Sequence, residues 1–77
     1  MTVTIDLRLF ATLQQFIPDN AKEFAITPGI TVREMLEQIN VPVEKAKLIF
    51  VNSLKKDLDV VLNGGERVGI FPPVGGG

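Results

Sequence analysis

Hydrophobic and polar residues alternate in three segments of the chain, residues 2–10, 22–27 and 67–71, as they do in half-buried β-strands. The side chains predicted to face inward are Val3, Ile5, Leu7 and Leu9 in the first segment, Phe24 and Ile26 in the second, and Val68 and Ile70 in the third. Phe10 and Phe71 fall on the outward side of this alternation. If the first and last strands pair, these two rings lie next to each other.

Two further strands are predicted from shorter signals. Residues 48–51 form a continuous apolar run, which favours a central strand, and residues 55–58 predict a minor edge strand. The turns between strands are predicted at residues 18–20, 52–53 and 63–66, where Asn, Asp, Ser, Pro and Gly accumulate.

One segment has helical periodicity instead. Thr31 is a suitable N-cap, and Glu34 follows it at the spacing of a capping box. Four apolar residues then share one helical face: Val32, Met35, Leu36 and Ile39. Asn40 and Pro42 predict the end of this helix, and residues 11–17 predict a second, shorter one.

A single amphipathic helix with one apolar stripe must cover a sheet to bury that stripe. The element order therefore predicts an α+β protein of the β-grasp type, with a mixed sheet of four to five strands wrapped around one main helix. In this arrangement the first and last strands run parallel at the centre of the sheet.

Composition excludes most independent chemistry. The 77 residues suffice for one domain, and the absence of cysteine and histidine removes disulfides, thiolate metal sites and the commonest general base. The net charge of −1 gives no reason to expect nucleic acid or a membrane surface as partner. No apolar run approaches the ~18 residues of a membrane span and no signal pattern is present, so we expect a cytoplasmic protein that works with a partner.

The last segment of the chain combines two prolines with three glycines: Pro72, Pro73, Val74, Gly75, Gly76 and Gly77. Prolines favour extended backbone, and six residues at about 3.1–3.3 Å each reach about 18–20 Å. Glycines carry no side chain that would obstruct a narrow channel. We therefore predict a β-grasp domain at residues 1–72 and a flexible tail at residues 73–77 that ends in a reactive carboxylate. Glycines at a chain end also occur as a frayed terminus without function.

Three segments carry a family resemblance: residues 9–13 (Leu-Phe-Ala-Thr-Leu), residues 51–52 (Val-Asn), and residues 62–68 leading into Phe-Pro-Pro-Val-Gly-Gly-Gly at 71–77. With them the chain resembles the MoaD/ThiS-type ubiquitin-like sulfur carriers, and in particular the small subunit of molybdopterin synthase. The resemblance implies that a ubiquitin-activating-type enzyme uses ATP to adenylate Gly77, and that a persulfide donor converts the adduct to a thiocarboxylate.

The resemblance also implies partners. An acceptor enzyme such as the molybdopterin synthase large subunit would take the sulfur for molybdenum cofactor biosynthesis, while the carrier itself binds no cofactor or metal and is not an enzyme. Phe10, Leu54 and Phe71 would form an exposed apolar patch that docks these partners. The alternation agrees with this for Phe10 and Phe71, although the two rings could instead cap the sheet or pack under a loop.

Other functions are compatible with the same features. The chain could carry sulfur to thiamine thiazole or to another acceptor. It could be a protein modifier that joins Gly77 to lysines, or a ubiquitin-like binding module whose tail carries no chemistry. The modifier and the carrier share the activation step and differ in the nucleophile that meets the adenylate.

Overall fold

The computed structural model describes residues 2–73, and Met1 and residues 74–77 lie outside the described part. Its elements, in chain order, are β1 (Val3–Leu9), β2 (Phe24–Ile26), β3 (Ile30–Thr31), α1 (Val32–Gln38), β4 (Leu48–Val51), β5 (Leu54–Lys56), β6 (Val61–Leu62) and β7 (Arg67–Phe71). Short 3₁₀ turns at Ala11–Phe16, Ala21–Glu23 and Val43–Lys45 connect them.

Five strands form one mixed sheet in the order β2-β1-β7-β4-β5. β1 and β7 run parallel, and the other neighbouring pairs are antiparallel. This confirms the predicted β-grasp arrangement with the first and last strands side by side. β3 and β6 form a separate two-stranded ladder beside the start of α1.

The core lies between α1 and one side of the five-stranded sheet. Val32, Met35 and Leu36 of the helix are fully buried there. They pack against the inward residues of the strands, of which the most buried are Ile5, Leu7, Ile26, Leu62, Val68 and Ile70. No polar or charged side chain within residues 2–73 is buried, so this core is stabilised by apolar burial.

The predicted capping box is present at the start of α1. The Thr31 hydroxyl accepts a hydrogen bond from the Glu34 backbone N–H at 3.1 Å, and the Glu34 carboxylate accepts one from the Thr31 N–H at 2.9 Å. The helix ends where Asn40 adopts a φ of +64°, a conformation that asparagine tolerates better than most residues.

Several predicted boundaries differ from the structure. Lys22 and Glu23 belong to a 3₁₀ turn, so the prediction of a strand from residue 22 was wrong. The helix predicted at residues 11–17 is a 3₁₀ helix that ends at Phe16. The edge strand predicted at residues 55–58 is β5, which begins and ends earlier.

The turn before β7 fixes that strand against β1. The Glu66 carboxylate accepts hydrogen bonds from the backbone N–H groups of Asn63 and Gly64, both at 2.7 Å. Gly65 donates its backbone N–H to the Thr4 carbonyl at 2.7 Å. These bonds fix the register of β7 against β1, and they therefore fix the position of each residue along β7.

Candidate functional site

The side of the sheet that faces away from α1, here called the outer face, carries three phenylalanines. Phe50 of β4 lies opposite Gly69 of β7, and Phe71 of β7 lies opposite Leu48 of β4. Opposite residues of paired antiparallel strands project to the same side of a sheet. Phe10 follows β1, and its backbone N–H still donates to the Ile70 carbonyl at 3.1 Å, so the alternation of β1 brings its ring to the outer face.

The three rings contact one another. Phe10 and Phe71 are stacked, with ring centroids 4.3 Å apart and an interplanar angle of 5°. Phe50 meets Phe71 edge to face, at 5.6 Å and 84°. All three side chains are half-buried. We call Phe10, Phe50 and Phe71, together with Gly69 between them, the aromatic face.

Gly69 is what makes the aromatic face concave. A Cβ atom at this position would lie 3.3 Å from Cε2 of Phe10, closer than that ring tolerates without moving. Without it, the surface forms a shallow depression of about 370 Å³, lined by Arg8, Phe10, Phe50, Ser53, Arg67, Gly69 and Phe71. A concave, partly exposed aromatic surface of this kind is typical of an interaction site.

The depression has a basic rim. The Arg8 guanidinium pairs with the Asp6 carboxylate at 3.3 Å; the Arg8 side chain is largely exposed and that of Asp6 about one-third exposed. Arg67 forms no ion pair with any carboxylate of residues 2–73. Lys55 of β5 lies opposite Phe50 and therefore projects to the same side.

A tight hairpin positions Arg67 at this rim. Asn52 and Ser53 connect β4 to β5 with φ angles of +53° and +70°, the conformation of a two-residue hairpin turn that asparagine favours. Asn52 donates its backbone N–H to the Arg67 carbonyl at 2.8 Å, and its side-chain Oδ1 accepts from the Arg67 N–H at 3.0 Å. The Val-Asn motif at residues 51–52 thus extends the pairing of β4 with β7.

The structure brings Phe10 and Phe71 together and leaves Leu54 apart from them. Leu54 is 61% exposed, but it lies opposite Val51, whose side chain faces the core. Register therefore directs Leu54 toward the helix side of the sheet, away from the aromatic face. Of the predicted tail, Pro72 and Pro73 follow β7 directly, whereas Val74, Gly75, Gly76 and Gly77 lie outside the described residues.

Phe50 and Gly69 were not among the predicted site residues. The apolar run at residues 48–51 does not indicate which side chains face the core. In the structure these side chains alternate, with Ile49 and Val51 buried and Leu48 and Phe50 half-exposed. The alternation of residues 67–71 could have identified Gly69, because it falls on the outward side between Arg67 and Phe71.

Among residues 2–73, no three carboxylates come together in a way that could hold a metal ion. The one α-helix there has seven residues, and neither it nor any 3₁₀ segment could cross a lipid bilayer.

Known families and structures resemble the chain along nearly its whole length. The family model described as Mut7-C ubiquitin matches residues 2–75. No curated protein is significantly similar in sequence. A solved Pyrococcus furiosus protein, proposed to be molybdopterin converting factor subunit 1, is 28% identical with a TM-score of 0.62, and the match covers 94% of this chain and 99% of that one.

Two Haloferax volcanii structures share the fold at lower identity. The HVO 2177 protein is 21% identical with a TM-score of 0.72, over 99% of this chain and 88% of that one. SAMP1 is 18% identical with a TM-score of 0.65, over 96% and 99% of the two chains. These matches confirm the ubiquitin-like β-grasp fold and the resemblance to MoaD-type proteins. Fold and family together support a carrier or modifier role.

Proposed function

The chain belongs to the Mut7-C ubiquitin family, and from this premise we propose that it is a sulfur carrier whose reactive group is the α-carboxylate of Gly77. Its partners would be an ATP-dependent activating enzyme, a persulfide donor and an acceptor enzyme. The activating enzyme and the acceptor enzyme would each dock on the aromatic face in turn while the segment after Phe71 enters their active sites.

The position of the aromatic face is the observation that carries this proposal. Phe71 is the last residue of β7, and its ring stacks on Phe10 at 4.3 Å. The Lys47 N–H donates to the Phe71 carbonyl at 2.9 Å, which holds the end of β7 to the start of β4. Pro72 and Pro73 follow immediately. A protein that covers these rings therefore lies beside the first residues of the segment that leads to Gly77.

The proposed chemistry takes place in partner active sites. An oxygen of the Gly77 carboxylate attacks the α-phosphorus of ATP, pyrophosphate leaves, and an acyl-adenylate forms. The terminal sulfur of the donor's persulfide then displaces AMP to give an acyl disulfide. A thiol of the donor or the activating enzyme cleaves the sulfur–sulfur bond and is oxidised to a disulfide, which releases Gly77 as the thiocarboxylate. A closed enzyme site is needed to keep water from the adenylate.

We propose molybdopterin biosynthesis as the pathway that receives the sulfur. The Phe-Pro-Pro-Val sequence at residues 71–74, followed by glycines, supports this branch of the carriers. So does the Pyrococcus furiosus protein, which is 28% identical and proposed to be molybdopterin converting factor subunit 1. The acceptor would then be of the molybdopterin synthase large-subunit type.

The test is the intact mass of the protein, with Gly77 as its last residue, after incubation with ATP, a persulfide donor and a candidate activating enzyme. We expect a mass gain equal to the exchange of one oxygen for sulfur. Deletion of Gly76 and Gly77 together is the matched control, because it moves the terminal carboxylate back to Gly75, two residues short of its proposed position, and leaves residues 2–73 unchanged.

We also expect Gly77→Ala, or any residue added after Gly77, to abolish the mass gain without changing the circular dichroism spectrum. Full thiocarboxylation of a C-terminally extended chain would contradict the proposal. Formation of an isopeptide with a lysine, in which the carboxylate and the amine join with loss of water, would identify a modifier instead. If none of several activating enzymes produced a covalent change, the remaining hypothesis would be a ubiquitin-like binding module whose tail carries no chemistry.

A further inference from the structure

The cations at the rim of the aromatic face indicate what kind of partner it accepts. We propose that this face binds an acidic protein segment that places one apolar side chain over Gly69 and its carboxylates against Arg8 and Arg67. The inference rests on the proposed function in so far as the segment would belong to the activating or the acceptor enzyme.

The depression is shaped for an inserted apolar group. Its floor is the backbone at Gly69, and the rings of Phe10, Phe50 and Phe71 surround that floor. The stacked and edge-to-face contacts hold the rings in place before a partner arrives, which lowers the entropy lost on binding. Aromatic side chains arranged in this way are the usual anchors of protein interfaces.

The charges of the outer face favour an acidic partner. Among strand residues of the five-stranded sheet that project to this side, three are cationic (Arg8, Lys55 and Arg67) and one is acidic (Asp6). The chain as a whole has a net charge of −1. The surplus of positive charge here is therefore local, and such a patch steers partners of opposite sign.

The arginines are available to an incoming carboxylate. The Arg8 side chain is 55% exposed, and its pairing partner Asp6 is 34% exposed. An exposed pair of this kind contributes little to stability, so Arg8 can exchange Asp6 for a partner carboxylate at low cost. Arg67 has no carboxylate partner to give up among residues 2–73.

A nucleic acid fits these observations less well than an acidic protein segment does. Binding to a phosphate backbone relies on an extended basic stripe on a positively charged domain. This face offers two guanidinium groups at the depression and one lysine beyond Phe50, in a chain of net negative charge. A single-stranded oligonucleotide is nevertheless a useful competitor, because aromatic rings also stack on bases.

The experiment is an NMR titration of the ¹⁵N-labelled full chain with three probes. The first is a synthetic peptide in which leucine and phenylalanine alternate with aspartate and glutamate. The second is the same peptide with lysine at every acidic position, and the third is an oligothymidine. We expect the acidic peptide to shift the amide signals of Arg8, Gly69 and Phe71, and to bind at least about tenfold more tightly than the lysine peptide.

Charge-removing variants then assign the effect to individual residues. We expect Arg8→Gln and Arg67→Gln each to weaken binding of the acidic peptide about two- to fivefold, and the difference to shrink at high salt. Lys45→Gln is the matched control, since Lys45 is exposed in the 3₁₀ turn after α1 and is not on the aromatic face. Its affinity should equal that of the wild type.

Equal affinity for the acidic and lysine peptides would overturn the inference, as would tighter binding of the oligothymidine or no binding of either peptide at millimolar concentration. The titration requires no activation of Gly77, so it is independent of the thiocarboxylation test. A normal mass gain with no peptide selectivity rejects only the acidic partner. Peptide selectivity without a mass gain rejects only the sulfur chemistry.

Discussion

At the scale of single residues, the two glycines before β7 play different parts although they adjoin each other. Gly64 has a φ of +113° and Gly65 a φ of +84°, conformations that residues with a side chain rarely adopt. Gly64 is also pressed against the first strand: a Cβ atom there would lie 2.6 Å from Cβ of Val3. A Cβ at Gly65 would meet nothing within 4 Å. Glycine is therefore required at position 64 for two reasons, the positive φ angle and the close approach of the backbone to Val3.

We predict that Gly64→Ala destabilises the protein by about 2–4 kcal/mol, the sum of left-handed strain and overpacking against Val3. Gly65→Ala, the matched control, should cost only the strain, about 1–2 kcal/mol. Urea denaturation of both variants measures the difference. Equal losses would mean that β1 yields to the new methyl group without cost, and that the contact with Val3 does not restrain the turn.

At the scale of elements, α1 depends on its cap because it is short. Seven residues form few internal hydrogen bonds, and an isolated helix of that length is not stable in water. The Thr31–Glu34 capping box satisfies backbone donors in the first turn, and the buried face of Val32, Met35 and Leu36 holds the helix on the sheet.

We predict that Thr31→Ala lowers the free energy of unfolding by about 1 kcal/mol, because it leaves the Glu34 N–H without its side-chain acceptor. Thr31→Ser retains the hydroxyl and should change stability by no more than a few tenths of a kcal/mol, about the difference between these two caps. Denaturant midpoints measure both variants. If the serine variant lost as much as the alanine variant, the threonine methyl group and not the cap would be responsible.

The elements that could be predicted from the sequence are those with a sustained pattern. The bounds of β4 and β7 and the capping box match the structure. The ladder of β3 with β6 was missed because each strand has two residues, too few to show an alternation. Phe50 was missed because a continuous apolar run does not reveal which side chains face the core, and only its pairing with β7 does.

Leu54 was predicted as a site residue, but the structure places it on the other side of the sheet. A resemblance placed it beside Phe10 and Phe71, but the two-residue hairpin at Asn52 and Ser53 pairs it with Val51. Because side chains in a strand alternate with a period of two, a loop one residue longer or shorter moves every following side chain to the other side. Resemblance alone does not determine that register.

At the scale of the whole molecule, the sheet separates the side that contains the core from the side that we propose as the docking surface. The helix side contains the buried core, and the outer face holds three half-exposed rings beside the start of the C-terminal segment. If partners dock on the outer face as proposed, folding and partner binding depend on different sets of phenylalanines. Phe24 pairs with Ile5 on the core side, where it packs against the core, while Phe71 contacts only the other rings of the aromatic face among described aromatic residues.

This separation predicts opposite phenotypes for two alanine variants. Phe71→Ala removes the ring that joins Phe10 to Phe50, so we expect a loss of about 2 kcal/mol in binding to the activating enzyme, about thirtyfold in affinity. Its unfolding free energy should fall by only about 1 kcal/mol, because Phe71, unlike Phe24, is not among the partly buried residues that pack against the core. Phe24→Ala should lower stability by about 2 kcal/mol and leave the affinity unchanged.

Both quantities can be measured on the same samples, affinity by titration calorimetry well below the unfolding transition and stability by thermal denaturation. If Phe71→Ala kept the wild-type affinity and lost much of its thermal stability, Phe71 would belong to the core and not to a docking surface. Loss of affinity in Phe24→Ala at a temperature where that variant is folded would mean that partners contact the helix side. Either result would contradict docking through the aromatic face alone, and the proposed carrier would need another docking site.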